Sequence, residues 1–186
     1  MMARSHVPFA MSWWWTFCLI TGSSVTGYGT LIAGIGGLLP DLDHPKSVLG
    51  RRLWFISLPL SALVGHRGFT HSLIAVVIML ITLVMFTSVA DYAFLSWMIA
   101  PLCVGYLSHI FGDFLTPSGV PLFYPKRKNF TLNIFKTGDW RETVIVGAIG
   151  LMVFLFGGVG SQMILQLEQG LEIFKGFQNY STYKRS

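Results

Sequence analysis

Apolar residues fall along this chain in long blocks separated by short polar stretches, and not in the narrow stripes of helices that cover a soluble core. Residues 73–90 contain no charged side chain. As a helix rising ~1.5 Å per residue they would cover roughly 27 Å, most of a ~30 Å hydrocarbon layer. Residues 7–22, 25–40, 93–115 and 143–160 are apolar blocks of similar character. Residues 48–64 begin basic and then turn apolar around Pro59; that stretch is too short to cross and reads as an interfacial or re-entrant helix. The pattern predicts an all-α integral membrane protein with about five transmembrane helices plus one interfacial or re-entrant helix. Asp91-Tyr92 is the predicted turn between two of these spans.

Composition supports the membrane class. Hydrophobic residues make up 53% of the chain and charged residues 11%, with a mean hydropathy of +0.61; soluble domains carry about 25% charged residues. No linker or low-complexity stretch divides the 186 residues, so they form one membrane-embedded domain. A cleaved signal peptide is the competing reading of residues 7–22. The aromatic-heavy core and the lack of an A-x-A site favour a retained helix, with Trp13, Trp14 and Trp15 as interface anchors. In residues 25–40, Ala33, Gly34, Gly36 and Gly37 are small residues at a spacing that lets helices approach closely. The order needed for a nucleotide-binding glycine loop is missing. Cys18 and Cys103 lie inside apolar runs without CxxC spacing and read as small core residues.

The net charge of +5 does not indicate a nucleic-acid partner. Basic residues gather in two loops, one with Lys46, Arg51 and Arg52, the other with Lys126, Arg127, Lys128, Lys136 and Arg141. That asymmetry makes both loops cytoplasmic, and with them the N-terminus.

Chemistry enters in three stretches. Gly65-His-Arg-Gly-Phe-Thr-His-Ser72 stands directly before the apolar run 73–90. Gly68 can break the chain between His66 and His71, and Thr70 is placed to cap a helix starting at His71. Two imidazoles could then converge beside free helix N–H groups that favour an anion. A basic flank with incidental histidines is the alternative. In Pro40-Asp-Leu-Asp-His-Pro-Lys-Ser47, Pro45 biases His44 toward extended backbone. An extended run would point Asp41 and Asp43 the same way, where they repel unless a cation lies between them. An Asx-turn or a helix cap would account for one of the two. In residues 105–117, His109 and Asp113 are i,i+4 and share a helix face, either as a hydrogen-bonded pair or as metal ligands.

On the charge-derived map His6, Asp41, Asp43, His44, His66, His71, His109 and Asp113 all lie at cytoplasmic helix ends. They include every one of the 5 histidines. Independent accidents would scatter over both faces, so the shared layer predicts a divalent-metal site. Nitrogen and oxygen donors without thiolate suit two or more ions, zinc first, manganese or iron as alternatives. Such a centre would acidify water and clamp an oxyanion. Arg67 is the candidate stabiliser of phosphoryl charge, and Asp43 a candidate general base as well as a ligand.

The three stretches PDLDHPKS (40–47), GHRGFTHS (65–72) and GYLSHIFGDFLTPSGVPLFYP (105–125) resemble the YdjM-type family of inner-membrane metal-dependent hydrolases. The resemblance covers about residues 1–125, the metal-site region, and includes a histidine near the start, here His6. It implies a multi-pass protein of the bacterial inner membrane, with metal ligands among the residues just named and membrane lipids around it. Distant similarity to all-helical zinc phospholipases C is also implied. Residues 126–186, which include the C-terminal helix and tail at 142–186, match in character only and receive no functional role.

Two functions are therefore expected to compete. One is a metal-dependent hydrolase acting on a phosphoester of a lipid or lipid-linked substrate at the cytoplasmic face. The other is a metal-binding membrane protein without catalysis, a transporter or a scaffold with a structural metal. The apolar midplanes of 73–90 and 143–160 argue against a transporter, which would place ionisable groups there. The topology itself is testable with single cysteines at Asn129 and Asp91. An impermeant thiol reagent added outside the cell should label position 91 and not 129; the reverse pattern would turn the map, and the site, to the other face.

Overall fold

The computed structural model describes residues 1–64, 68–126 and 128–183. Every regular element among them is helical, and the one pairing of extended backbone is an isolated bridge between Val120 and Phe130. Helices α1 (Ala3–Thr21), α2 (Gly27–Gly36), α3 (Val48–Arg52), α4 (Trp54–Val64), α5 (Leu73–Ser88), α6 (Ile99–Phe114), α7 (Trp140–Phe156) and α8 (Val159–Tyr183) follow in order. Short 3-10 turns stand at Pro40–Asp43, Phe69–His71 and Ala90–Met98.

Local sequence explains most boundaries. Gly22, at φ +70°, ends α1 in the left-handed conformation that glycine adopts without a Cβ clash. Thr26 caps α2 by accepting from the Gly29 N–H, and Ser47 caps α3 by accepting from Gly50. Ser72, and not Thr70, caps α5, accepting from the Ala75 N–H. Thr70 and His71 lie instead in the preceding 3-10 turn, which corrects the expected helix start. The predicted turn at Asp91-Tyr92 is likewise part of a longer 3-10 stretch, Ala90–Met98, that leads into α6.

Helices α1, α2, α6 and α7 form the centre, with α5 laid against α6. The tightest approach is between α2 and α6. A Cβ on Gly105 would stand 2.1 Å from the carbonyl oxygen of Ala33, and one on Gly36 would stand 2.5 Å from that of Leu102. Backbone therefore meets backbone there, the role expected for the small residues of 25–40. Trp14, Cys18, Val25, Ala33, Val104 and Val159 fill the core between these helices. The tryptophans expected as interface anchors sit at mid-helix in α1. Trp14 is buried in that core, and Trp15 donates its indole N–H to Thr30 Oγ1 at 3.0 Å. Gln162 and Gln166 of α8 grip the main chain of Val25, accepting from its N–H at 3.0 Å and donating to its oxygen at 2.7 Å.

Polarity is inverted relative to a soluble protein. Phe156, Leu63 and Ile20 are 80–86% exposed, whereas His6, His71, His109 and Asp43 are 0–1% exposed. Apolar surface of this kind outside, with polar groups gathered inside, suits surroundings of lipid. By length and composition the described helices do not reach the expected count of about five spans. Tyr92–Phe114 alone is long and apolar enough to cross, and Trp140–Phe156 with Val159–Lys175 would make a second as a pair bent by 61°. Chain geometry gives the reason. The glycine–proline end of the 25–40 block stops α2 after 10 residues, and α5 keeps only 16; at ~1.5 Å per residue these are about 15 and 24 Å long.

The glycine contact can be tested directly. Gly105→Ala should destabilise the protein by about 1–3 kcal/mol, the usual cost of forcing a methyl into a filled space. Gly147→Ala, where a Cβ would meet nothing within 4 Å, should be neutral or slightly stabilising. Thermal unfolding of both variants in detergent checks the order.

Candidate metal centre

One face of α6 carries Tyr106, His109 and Asp113, spaced three and four apart so that all three face the same way. Each side chain is buried. Opposite them, the first turns of α1 bring His6, the turn after α2 brings Asp41 and Asp43, and the turn before α5 brings Thr70 and His71.

The close approach of α2 to α6 sets the protonation of His109. Its Nδ1 lies 2.7 Å from the carbonyl oxygen of Gly37. A carbonyl only accepts, so Nδ1 carries the proton and the Nε2 lone pair of the neutral ring points into the site. His71 is fixed in the same sense from its other side. Its Nδ1 stands 3.1 Å from Thr70 Oγ1 and 3.3 Å from Asp43 Oδ2. The Thr70 hydroxyl donates to Asp43, so its oxygen and the carboxylate both accept from the His71 ring. Tyr106 holds this turn in place by donating its hydroxyl to the Thr70 carbonyl at 2.6 Å. A carboxylate behind an imidazole is the arrangement that orients metal-binding histidines.

The Nε2 atoms of His71 and His109 then stand 3.3 Å apart. Asp41 Oδ1 completes a triangle at 3.9 and 3.7 Å from them. Ligands about 2.0–2.1 Å from a tetrahedral zinc stand roughly 3.3–3.4 Å from one another, so the spacing fits one ion with three protein donors. Asp113 Oδ2 also lies near, 3.8 Å from His71 Nε2.

A second group consists of His6, His109 and Asp113. The His6 ring stacks on His109 at a centroid distance of 3.7 Å and 10° between planes. Its Nε2 stands 3.4 Å from Asp113 Oδ1, and neither His6 nitrogen completes a hydrogen bond although both are buried. The Met1 amino nitrogen also contacts Asp113 Oδ1. Gly112 leaves room for this packing, since a Cβ there would lie 2.5 Å from Met1 Sδ and 3.5 Å from the His6 ring. With one lone pair available, His109 serves a single ion. The two groups are joined by Asp113, which turns one oxygen to His6 and the other to His71.

Six of the eight candidate ligands are thus accounted for in one place: His6, Asp41, Asp43, His71, His109 and Asp113. Asp41 and Asp43 do not stand side by side on extended backbone as expected. Pro40–Asp43 is a 3-10 turn, and its two carboxylates address opposite nitrogens of His71. Asp43 is therefore outside the two donor groups found among the described residues. His44 keeps the extended backbone that Pro45 imposes and also belongs to neither group. His66 and Arg67 lie outside the described residues. Four contributors escaped the sequence reading. These are the Gly37 carbonyl, the Thr70 hydroxyl, Tyr106, and the buried Glu142 at the start of α7. Tyr106 was open to discovery, because it falls on the helix face already marked by His109 and Asp113.

Comparison with known proteins places the chain in a family. The inner membrane protein YdjM of Escherichia coli (strain K12) is 51% identical over 115 residues, 60% of this chain and 58% of that protein. The protein of the same name from Shigella flexneri gives the same figures. The uncharacterized protein YvsG of Bacillus subtilis (strain 168) is 33% identical over 118 residues, 63% of this chain and 70% of that protein. The alignment to the YdjM relatives thus spans less than two thirds of their length. No solved structure matches the chain at a significant level. A family model described as "YdjM inner membrane protein" matches residues 1–171. The chain therefore belongs to the YdjM family of bacterial inner membrane proteins.

Proposed function

We propose that this protein is a multi-pass, membrane-embedded metal-dependent hydrolase that acts on a phosphoester of a lipid or lipid-linked substrate at the cytoplasmic face. The observation that carries the metal reading is the pair of Nε2 atoms of His71 and His109 at 3.3 Å, each ring held by its other nitrogen. Two imidazole nitrogens and the Asp41 carboxylate oxygen gathered at this spacing form a donor set for one divalent ion. His71, His109 and Asp41 would hold the first ion, zinc by preference and manganese or iron as alternatives, and His6 with Asp113 would hold a second beside it. Bound there, a divalent ion supplies Lewis acidity toward a phosphoryl oxygen and acidifies water.

The residues of this chain supply the rest. Asp43, Thr70 and Tyr106 keep the His71 ring turned into the site. Gly37 does the same for His109. Arg67, two residues after the start of the 65–72 stretch, would bind the substrate's anionic group and stabilise charge that grows on it. Three protein donors leave a coordination position open, the mark of a catalytic site in place of a structural one. A structural-metal reading has one observation in its favour: His6, His71, His109 and Asp113 are at most 2% exposed, and only Asp41, at 19%, opens outward.

Metal analysis and turnover separate the two readings. Protein purified in detergent, stripped with chelator and reloaded, should hold about two divalent ions. His71→Ala and His109→Ala should each lower that content. The loaded protein should hydrolyse a phospholipid or an isoprenoid phosphate, and the stripped protein should not. Arg67→Ala should keep the metal while slowing turnover ~10²-fold or more. Loaded protein inactive on phospholipid, isoprenoid phosphate and a generic phosphodiester would favour the structural metal. Activity in fully stripped protein would refute the mechanism.

A further inference from the structure

Glu142 stands in the first turn of α7 and is 1% exposed. A carboxylate so buried needs donors, and both of its oxygens have one. Oε1 accepts the N–H of Met2 at 2.9 Å, and Oε2 accepts the N–H of Gly138 at 2.8 Å. Met2 is the N-cap residue of α1 and offers no side-chain cap of its own. The carboxylate of α7 thus does for α1, across the fold, what the N3 glutamate of a capping box does within a helix: it accepts the N–H of the N-cap residue. Its negative charge also faces the positive N-terminal ends of both α1 and α7.

Four residues after Met2 comes His6. Its ring completes no hydrogen bond, so its place depends on the stack against His109, on the 3.4 Å approach of its Nε2 to Asp113 Oδ1 and on the backbone that carries it. That backbone is the turn anchored by Glu142. Ser5, between the anchor and His6, is buried as well.

We propose that Glu142 is a positioning residue for His6: by capping α1 from α7 it holds the His6 ring against His109 and Asp113. Helix α7, which no sequence motif reached, then becomes a working part of the site. The consequence for metal binding rests on the function proposed above; the placement of His6 does not.

The test uses the full chain in detergent with Co²⁺ as probe, comparing wild type, Glu142→Gln, His6→Ala and the double variant. Glu142→Gln should shift the visible Co²⁺ spectrum to that of His6→Ala and weaken Co²⁺ binding by about tenfold or more, the usual effect of losing a residue that orients a ligand. The double variant should bind no more weakly than His6→Ala alone, because both changes remove one contribution. Glu142→Asp should recover part of the loss. A second readout needs no metal. In stripped protein, diethylpyrocarbonate should modify His6 roughly tenfold faster after Glu142→Gln, with His71 unchanged as internal reference. If wild type binds no Co²⁺ while Glu142→Gln still unmasks His6, the metal reading falls and the positioning role stands. A Glu142→Gln protein that melts earlier but keeps the wild-type Co²⁺ spectrum and His6 reactivity would overturn the proposal, as would fully additive effects of the two changes.

Discussion

The contact on which the rest depends is the backbone-to-backbone approach of α2 and α6 across Gly36, Gly37 and Gly105. With a side chain at Gly36 or Gly105 the helices would stand further apart. The Gly37 carbonyl would then no longer reach His109 Nδ1 at 2.7 Å. Without that acceptor the His109 ring could take either tautomer, and its Nε2 would not be committed to the site. A packing feature of a kind common among membrane helices thus determines which nitrogen of a buried imidazole stays free for chemistry. The same glycines carry the turn Pro40–Asp43 past the end of α2 into contact distance of His71.

A second constraint is electrostatic. Burying three imidazoles and the carboxylates of Asp43 and Asp113 is costly in an interior of low polarity, and the fold offsets the cost in layers. Asp43 is met by Thr70 and His71, Asp113 by the Met1 amino nitrogen and His6, and the outer nitrogens of His71 and His109 by their own partners. The Nε2 atoms of His71 and His109 meet at the centre of these bonds with Asp41 beside them, where a cation would be most strongly stabilised. The outer surface carries the opposite character, from Ile20 on α1 to Phe156 on α7, so the polar centre is isolated by apolar helices. Rigidity around the site follows from this arrangement, because any loosened partner leaves a buried charge unpaired.

Much of this was readable from the residues. Charge-free blocks gave helices, small residues in 25–40 gave a close packing face, and three histidine- and aspartate-bearing stretches gave the residues that now meet. His109 and Asp113 were readable as a pair because i,i+4 spacing carries its geometry with it. Asp41 and Asp43 were read on extended backbone and are found on a 3-10 turn; local sequence cannot choose between the two when Pro40 and Pro45 permit both. Thr70 shows a related limit. A threonine before a helix reads as its cap, but here tertiary contact with Asp43 takes the hydroxyl and Ser72 caps instead. Glu142 left no signal because its partners are main-chain N–H groups 140 and 4 residues away, and backbone donors have no sequence signature. The described helices fall short of about five spans for a similar reason, since hydropathy does not say where glycine and proline will stop a helix.

The central claim is that His71, His109 and Asp41 converge on a bound divalent ion. X-ray absorption at the zinc edge of protein reloaded with one equivalent of zinc tests it most directly. A first shell of nitrogen and oxygen only is expected, at about 2.0–2.1 Å, with the outer-shell scattering of two imidazoles that falls to one in His109→Ala. A shell containing sulfur, or a spectrum identical in wild type and His109→Ala, would contradict it.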